Sequence, residues 1–123
     1  MVQHIVLLKW KPGVSEETIL QAFDHGKHLP NEIDGVEHLT IGRARVDQGH
    51  GFTHAVIVSL EDEEALGRYL DHPLRTRYLT DHLEPLEAER IEISVPVDKS
   101  LLRDPSRSWE WGASIGMGPP LED

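Results

Sequence analysis

Eight histidines occur among 123 residues: His4, His25, His28, His38, His50, His54, His72 and His82. Imidazole is the side chain that gains and loses a proton near neutral pH, and it is a common metal ligand. Two of the eight fall on otherwise apolar strand faces. His4 alternates with Val2, Val6, Leu8 and Trp10, and His54 shares a face with Phe52, Val56, Val58 and Leu60. A buried imidazole needs a partner, so each position asks for a backbone carbonyl or for a role in proton transfer. His25 and His28 have the spacing to share a metal on a helix, but nothing nearby completes a coordination shell, and they read as solvated helix-face residues. His38, His50 and His82 read as surface positions.

The densest polar and aromatic stretch runs Arg68-Tyr69-Leu70-Asp71-His72-Pro73-Leu74-Arg75-Thr76-Arg77-Tyr78. Tyr69 at the end of a helix can offer its hydroxyl to a cavity as an acid or hydrogen-bond donor, or pack as a core aromatic. His72, just before Pro73, suits the capping of the next helix. Arg75 and Arg77 can meet an anionic ligand or neighbouring carboxylates. The chain has no phosphate-binding glycine loop, no dinucleotide fingerprint, no nucleophile elbow and no HExxH helix, so nucleotide chemistry and serine-triad hydrolysis lack support.

The elements that must position these groups follow from periodicity. Val2 to Trp10 is a strand ended by Pro12-Gly13, and Ile5 and Leu7 make its second face apolar too. Ser15 caps a helix with Glu16 and Glu17 in its first turn; Ile19, Ala22, Phe23, Gly26 and Leu29 form its stripe, and Pro30 closes it. Strands are expected over 35–46 and 52–60, with a polar loop between them. Asp62 caps a second helix carrying Ala65, Leu66, Tyr69 and Leu70. Pro73 interrupts it and starts another, with Leu74, Tyr78, Leu83 and Leu86 apolar. Residues 89–97 form a last strand in which Ile91, Ile93, Val95 and Val97 alternate.

The order strand, helix, strand, strand, helix, strand implies an α+β fold, a split βαβ with an antiparallel sheet and helices on one face. The other face would be bare in a monomer, and a second copy of the same sheet is its simplest cover. One domain is expected over 1–97. From Lys99 the composition turns rich in Gly and Pro, and 98–123 is expected to be a tail whose Trp109 and Trp111 dock on a partner or over a pocket.

Twelve basic residues against 22 acidic ones give a net charge of −10, which repels nucleic acid and anionic membrane surfaces. The absence of cysteine excludes disulfides, thiolate catalysis and thiolate-bound metals. The first ten residues have no basic stretch or cleavage site, and their apolar run is too short to span a bilayer. A soluble, cytoplasmic protein is expected.

Several segments resemble the stress-responsive dimeric α/β-barrel (Dabb) family. They are His4-Ile5-Val6-Leu7-Leu8-Lys9-Trp10-Lys11, Pro30 through Gly35 with Ile41-Gly42, Thr53-His54-Ala55-Val56-Ile57-Val58, and Glu61 through Tyr69-Leu70-Asp71-His72-Pro73. The resemblance covers about residues 2 to 97. It implies a ferredoxin-like βαββαβ protomer whose sheet packs on that of a second copy to close a dimeric barrel. Relatives include polyketide cyclases of the olivetolic acid cyclase type and hydroxynitrile lyases. By that resemblance His4, His54 and Tyr69 match site residues. The family's frequent His-Pro-x-His reads His72-Pro73-Leu74-Arg75 here, and arginine, always protonated, cannot replace a histidine base.

The expectation is a small homodimeric enzyme of the cyclase or lyase type acting on a polyketide-like or other carbonyl compound. His4, His54 or His72 would be the base, and Tyr69 and Arg75 would steady negative charge. Phe23, Val56, Leu66 and Tyr78 would line the ligand site. No metal or organic cofactor is required. The alternative is a non-catalytic stress-responsive dimer that binds a hydrophobic small molecule.

Overall fold

The computed structural model describes residues 1–45 and 49–97; the expected end of the second strand at Val46 and the docking of Trp109 and Trp111 lie outside them. The elements are β1 (Val2–Trp10), α1 (Glu16–Gly26), α2 (Leu29–Glu32), β2 (Val36–Arg43), β3 (His54–Leu60), α3 (Glu63–Asp71), α4 (Pro73–Tyr78), a π-helical turn (Leu79–Leu83) and β4 (Glu87–Pro96). The strands form one antiparallel sheet in the order β2-β3-β1-β4. This is the ferredoxin-like βαββαβ architecture, with β1 central because both its faces are apolar.

Period-two alternation decides which side each residue serves. Val2, His4, Val6 and Leu8 are buried under the helices. Cross-strand register places Ile5 between Ile57 and Ile93, and Leu7 between Ala55 and Ile91, on the opposite face. There Ile91, Ile93 and Val95 are exposed, Ile93 at 52%. The apolar band thus crosses three strands and has no cover among the described residues.

The helices start where their caps dictate. Ser15 accepts from the Thr18 amide at 3.1 Å, and Asp62 from the Ala65 amide at 2.8 Å. The His72 imidazole accepts from the Leu74 amide at 3.1 Å, with Pro73 in the first turn of α4. Each such cap contributes about 1 kcal/mol.

Some boundaries differ from expectation. Pro30 opens α2 instead of closing α1, because a proline lacks only an N–H that a helix's first turn leaves unused. The third strand begins at His54, not Phe52, and the last runs over Glu87–Pro96. The π-helical turn after α4 carries no periodicity that distinguishes it from an ordinary helix in sequence.

Two clusters fill the space between sheet and helices. One joins Val2, Leu29, Ile33, Val58, Leu60 and Leu66 with Tyr69, and the other joins Val6, Leu8, Ile19, Phe23 and Leu83. Val56 and Tyr78 touch both. The candidate site lies at this seam.

Candidate functional site

β1 and β4 build the polar floor of the site. Their register sets Ser94 opposite His4 and Glu92 opposite Val6, so all face the helices. His4 is 3% exposed, and both ring nitrogens are engaged. Nδ1 meets Ser94 Oγ at 2.8 Å, and Nε2 meets Glu92 Oε1 at 2.7 Å. The hydrogen bond from His4, followed by the Arg75 and Arg90 charges, outweighs partial burial and holds the Glu92 carboxyl down at about 2. Glu92 is therefore ionised and only accepts, so His4 Nε2 carries a proton. In the neutral ring Nδ1 accepts from the Ser94 hydroxyl.

α4 brings the positive charge. Pro73 and the His72 cap set its start, which carries Arg75 inward to 8% exposure. Its Nη2 donates to the same Glu92 Oε1 at 2.6 Å, and its guanidinium lies 5.0 Å from the centre of the Tyr69 ring. Among the described residues, Arg75 Nε is buried without a hydrogen-bond partner. Tyr69, from the last turn of α3, is edge-on to His4 at 6.1 Å. Burial pushes its phenol above the ordinary range, and Arg75 offsets part of that rise.

Tyr69 and Arg75 line an apolar cavity of about 40 Å³ walled by Phe23, Leu39, Val56 and Leu79. Tyr78 is the third polar side chain on the wall, but its hydroxyl donates to the Ala22 carbonyl at 2.7 Å. The cavity holds a few small atoms or a water or two, well below the several hundred Å³ of drug-sized pockets.

His4, Tyr69 and Arg75 thus come together, while His54 belongs elsewhere. His54 pairs with Leu8 and His4 with Val58, which separates the two histidines by four residues along the sheet, about 13 Å. His54 Nδ1 receives Trp10 Nε1–H at 2.9 Å and lies 2.8 Å from Thr53 Oγ1. An indole N–H only donates, so the His54 proton sits on Nε2, 3.4 Å from Glu16 Oε2. Glu16 also pairs with Arg43, so this cluster ties the start of α1 to the sheet. His72 acts as the α4 cap. Of the expected lining residues, Phe23, Val56 and Tyr78 reach the cavity, and Leu66 packs in the core.

Sequence reasoning missed Glu92 and Ser94. The available signal was the polar set Arg90, Glu92, Ser94 alternating with Ile91, Ile93, Val95, which marks a strand whose inner face is charged. His25 and His28 do not form a metal site. His28 pairs with Glu32 at 3.3 Å, His25 stacks on His82 with ring centres 4.3 Å apart, and no group of three metal-ligating side chains occurs among the described residues. No described helix is long and apolar enough to cross a membrane.

Comparison with known proteins places this geometry in context. The chain is 28% identical over 102 residues to the stress-response A/B barrel domain-containing protein HS1 of Arabidopsis thaliana, covering 81% of this chain and 94% of the relative. A dimeric ferredoxin-like protein of Thermobifida fusca superposes with a TM-score of 0.68 at 23% identity, over 78% of this chain and 90% of that one. The hydroxynitrile lyase of Passiflora edulis superposes with a TM-score of 0.71 at 19% identity, over 80% and 94% respectively. The model of the stress responsive A/B barrel domain (Dabb) matches residues 2–97, the full span of sheet and helices, and the chain belongs to that family.

Proposed function

We propose that this chain is a small homodimeric barrel enzyme of the lyase or cyclase type, acting by acid–base chemistry on a compact apolar carbonyl compound. The observation that carries the reading is the buried pair Tyr69 and Arg75 on the wall of an otherwise apolar cavity, backed by His4 and Glu92. A phenol kept protonated by burial can donate to a carbonyl oxygen, and a guanidinium beside it favours the oxyanion. Glu92 holds a proton on His4 Nε2 and leaves Nδ1 as the basic nitrogen. For that nitrogen to take a substrate proton, the His4 ring, which lies behind Tyr69 and Arg75, must exchange its bond to Ser94 for one to the substrate. His54 and His72 serve as positioning residues, one anchoring α1 and the other capping the helix that carries Arg75. The bare apolar sheet face and the dimeric relative support pairing of two copies. The Passiflora relative supports a lyase among the possible chemistries on this scaffold.

The test is deuterium uptake next to the carbonyl of small alkyl methyl ketones in D2O, together with carbonyl release from small aliphatic cyanohydrins. The native chain is expected to accelerate at least one of these. His4→Ala and Tyr69→Phe should each lower that rate by about a hundredfold or more while the protein stays folded. Rates equal to buffer, or unchanged in both variants, would remove the catalytic reading. The second reading, a non-catalytic dimer that binds a hydrophobic molecule, is favoured by one observation: both nitrogens of His4 already have protein partners.

A further inference from the structure

We propose that the cavity is a receptor for a monocarboxylate with a small apolar body, and that the Arg75 guanidinium selects the acid over neutral analogues. This rests on the reading that the cavity is the working site, and it names the class of compound the site prefers.

Arg75 carries a buried donor with no acceptor among the described residues. Arginine at 8% exposure has lost water around most of its guanidinium, and a buried N–H without an acceptor is unfavourable. Arg75 Nε is in that state among the described residues. Glu92 does not relieve it, because its Oε1 already takes His4 Nε2 and Arg75 Nη2, while Oε2 lies 3.3 Å from Arg90 Nε. The charge of Arg75 is therefore held in place from one side, and the residue presents another edge to the cavity.

The surroundings decide what fits that edge. Beyond Tyr69 and Arg75 the wall is apolar, apart from a Tyr78 hydroxyl already committed to Ala22. A charge in such a place attracts an opposite charge more strongly than it would in water. Guanidinium matches a carboxylate in shape, and a phenol kept protonated by burial supplies a further donor. The cavity of about 40 Å³ admits a carboxylate of only a few heavy atoms, the size of acetate or propionate. A phosphate or a dianion suits the site less, since the chain carries a net charge of −10. A single negative charge on an apolar body meets the least repulsion.

The experiment titrates the full-length protein by calorimetry with acetate, propionate and butyrate, and in parallel with the matching amides and methyl ketones. At least one acid should bind about tenfold or more tightly than its amide. Arg75→Gln should abolish that preference. Because removal of Arg75 takes a cation from Glu92, the double variant Arg75→Gln/Glu92→Gln, which removes both charges, repeats the measurement in a charge-balanced protein. Tyr69→Phe should weaken the acid by a smaller factor. Equal binding of acids and neutral analogues overturns the carboxylate assignment and leaves the cavity reading standing. Acid binding that survives both Arg75 variants puts the acid elsewhere and also overturns it. No binding by any probe overturns both.

Discussion

Glu92 Oε1 accepts from His4 Nε2 at 2.7 Å and from Arg75 Nη2 at 2.6 Å, so one oxygen joins β1, β4 and α4. The consequence is electrostatic as well as mechanical. His4 has its proton placed, and Arg75 has a counter-ion that lets it stay buried. Neither residue could keep its present state if the carboxylate were removed.

Glu92→Gln should therefore destabilise the fold by about 2–4 kcal/mol, because it strands a buried guanidinium. The Glu92 side chain is 28% exposed, and water on that side keeps the loss at the lower end of the range for buried pairs. Urea denaturation measures it as a fall in midpoint at constant slope. The double variant Glu92→Gln/Arg75→Met should recover at least about 1 kcal/mol relative to the sum of the single changes. Additive losses would show that the two groups do not depend on each other.

The same carboxylate predicts an acid limit. Its folded value of about 2 lies below the ordinary 4.5, so the ionised form favours the folded state. That contribution is fully present above about pH 4.5 and drains away as pH falls through 2. Glu87 runs the other way: burial raises its carboxyl, and its part in stability is lost as pH rises through its folded value. Comparing the native chain with Glu92→Gln isolates the first effect. The stability gap between them should be largest near pH 7 and close progressively below pH 4; a gap independent of pH would contradict the assignment.

The uncovered sheet face gives a third expectation. Ile93 is 52% exposed and sits in line with Ile5 and Ile57. Among the described residues nothing covers that position, so a charge there is a surface change, and surface changes are within about 0.5 kcal/mol. In a face-to-face pair the same charge would be buried without a partner. Ile93→Glu should convert a sedimenting dimer to a folded monomer at micromolar concentration. A native chain that already sediments as a monomer, or a variant that stays dimeric, would remove this face as the interface.

The reach of the sequence varied with the range of the interaction concerned. Local signals were dependable: Ser15, Asp62 and His72 read as helix-start residues and act as caps. The alternation of β1 disclosed a central strand because each residue's side follows from its own neighbours. What escaped depends on register between distant strands. His4 and His54 share a face of the sheet, yet the β1–β3 pairing sets them apart, and no local rule fixes that offset. Glu92 became the centre of the site only because β4 lies beside β1. Pro30 misled because proline is equally at home after one helix and at the start of the next.

The last prediction concerns the wall of the cavity. Gly26 ends α1 directly beneath Tyr78, and a Cβ added there would lie 2.5 Å from Tyr78 Cζ, far inside contact distance. Gly26→Ala would normally favour a helix by up to about 1 kcal/mol. Here the aromatic ring must move, straining the packing by about 1–3 kcal/mol and stretching the bond from its hydroxyl to the Ala22 carbonyl. Burial holds the Tyr78 phenol protonated, so that bond has no ionised form to replace it. The variant should melt lower than the native chain, and it should bind cavity ligands more weakly because the displaced ring enters the space they need. Tyr78→Leu removes the obstructing ring. In that background the same glycine change should be neutral or stabilising, and an equal loss in both backgrounds would refute the proposed contact.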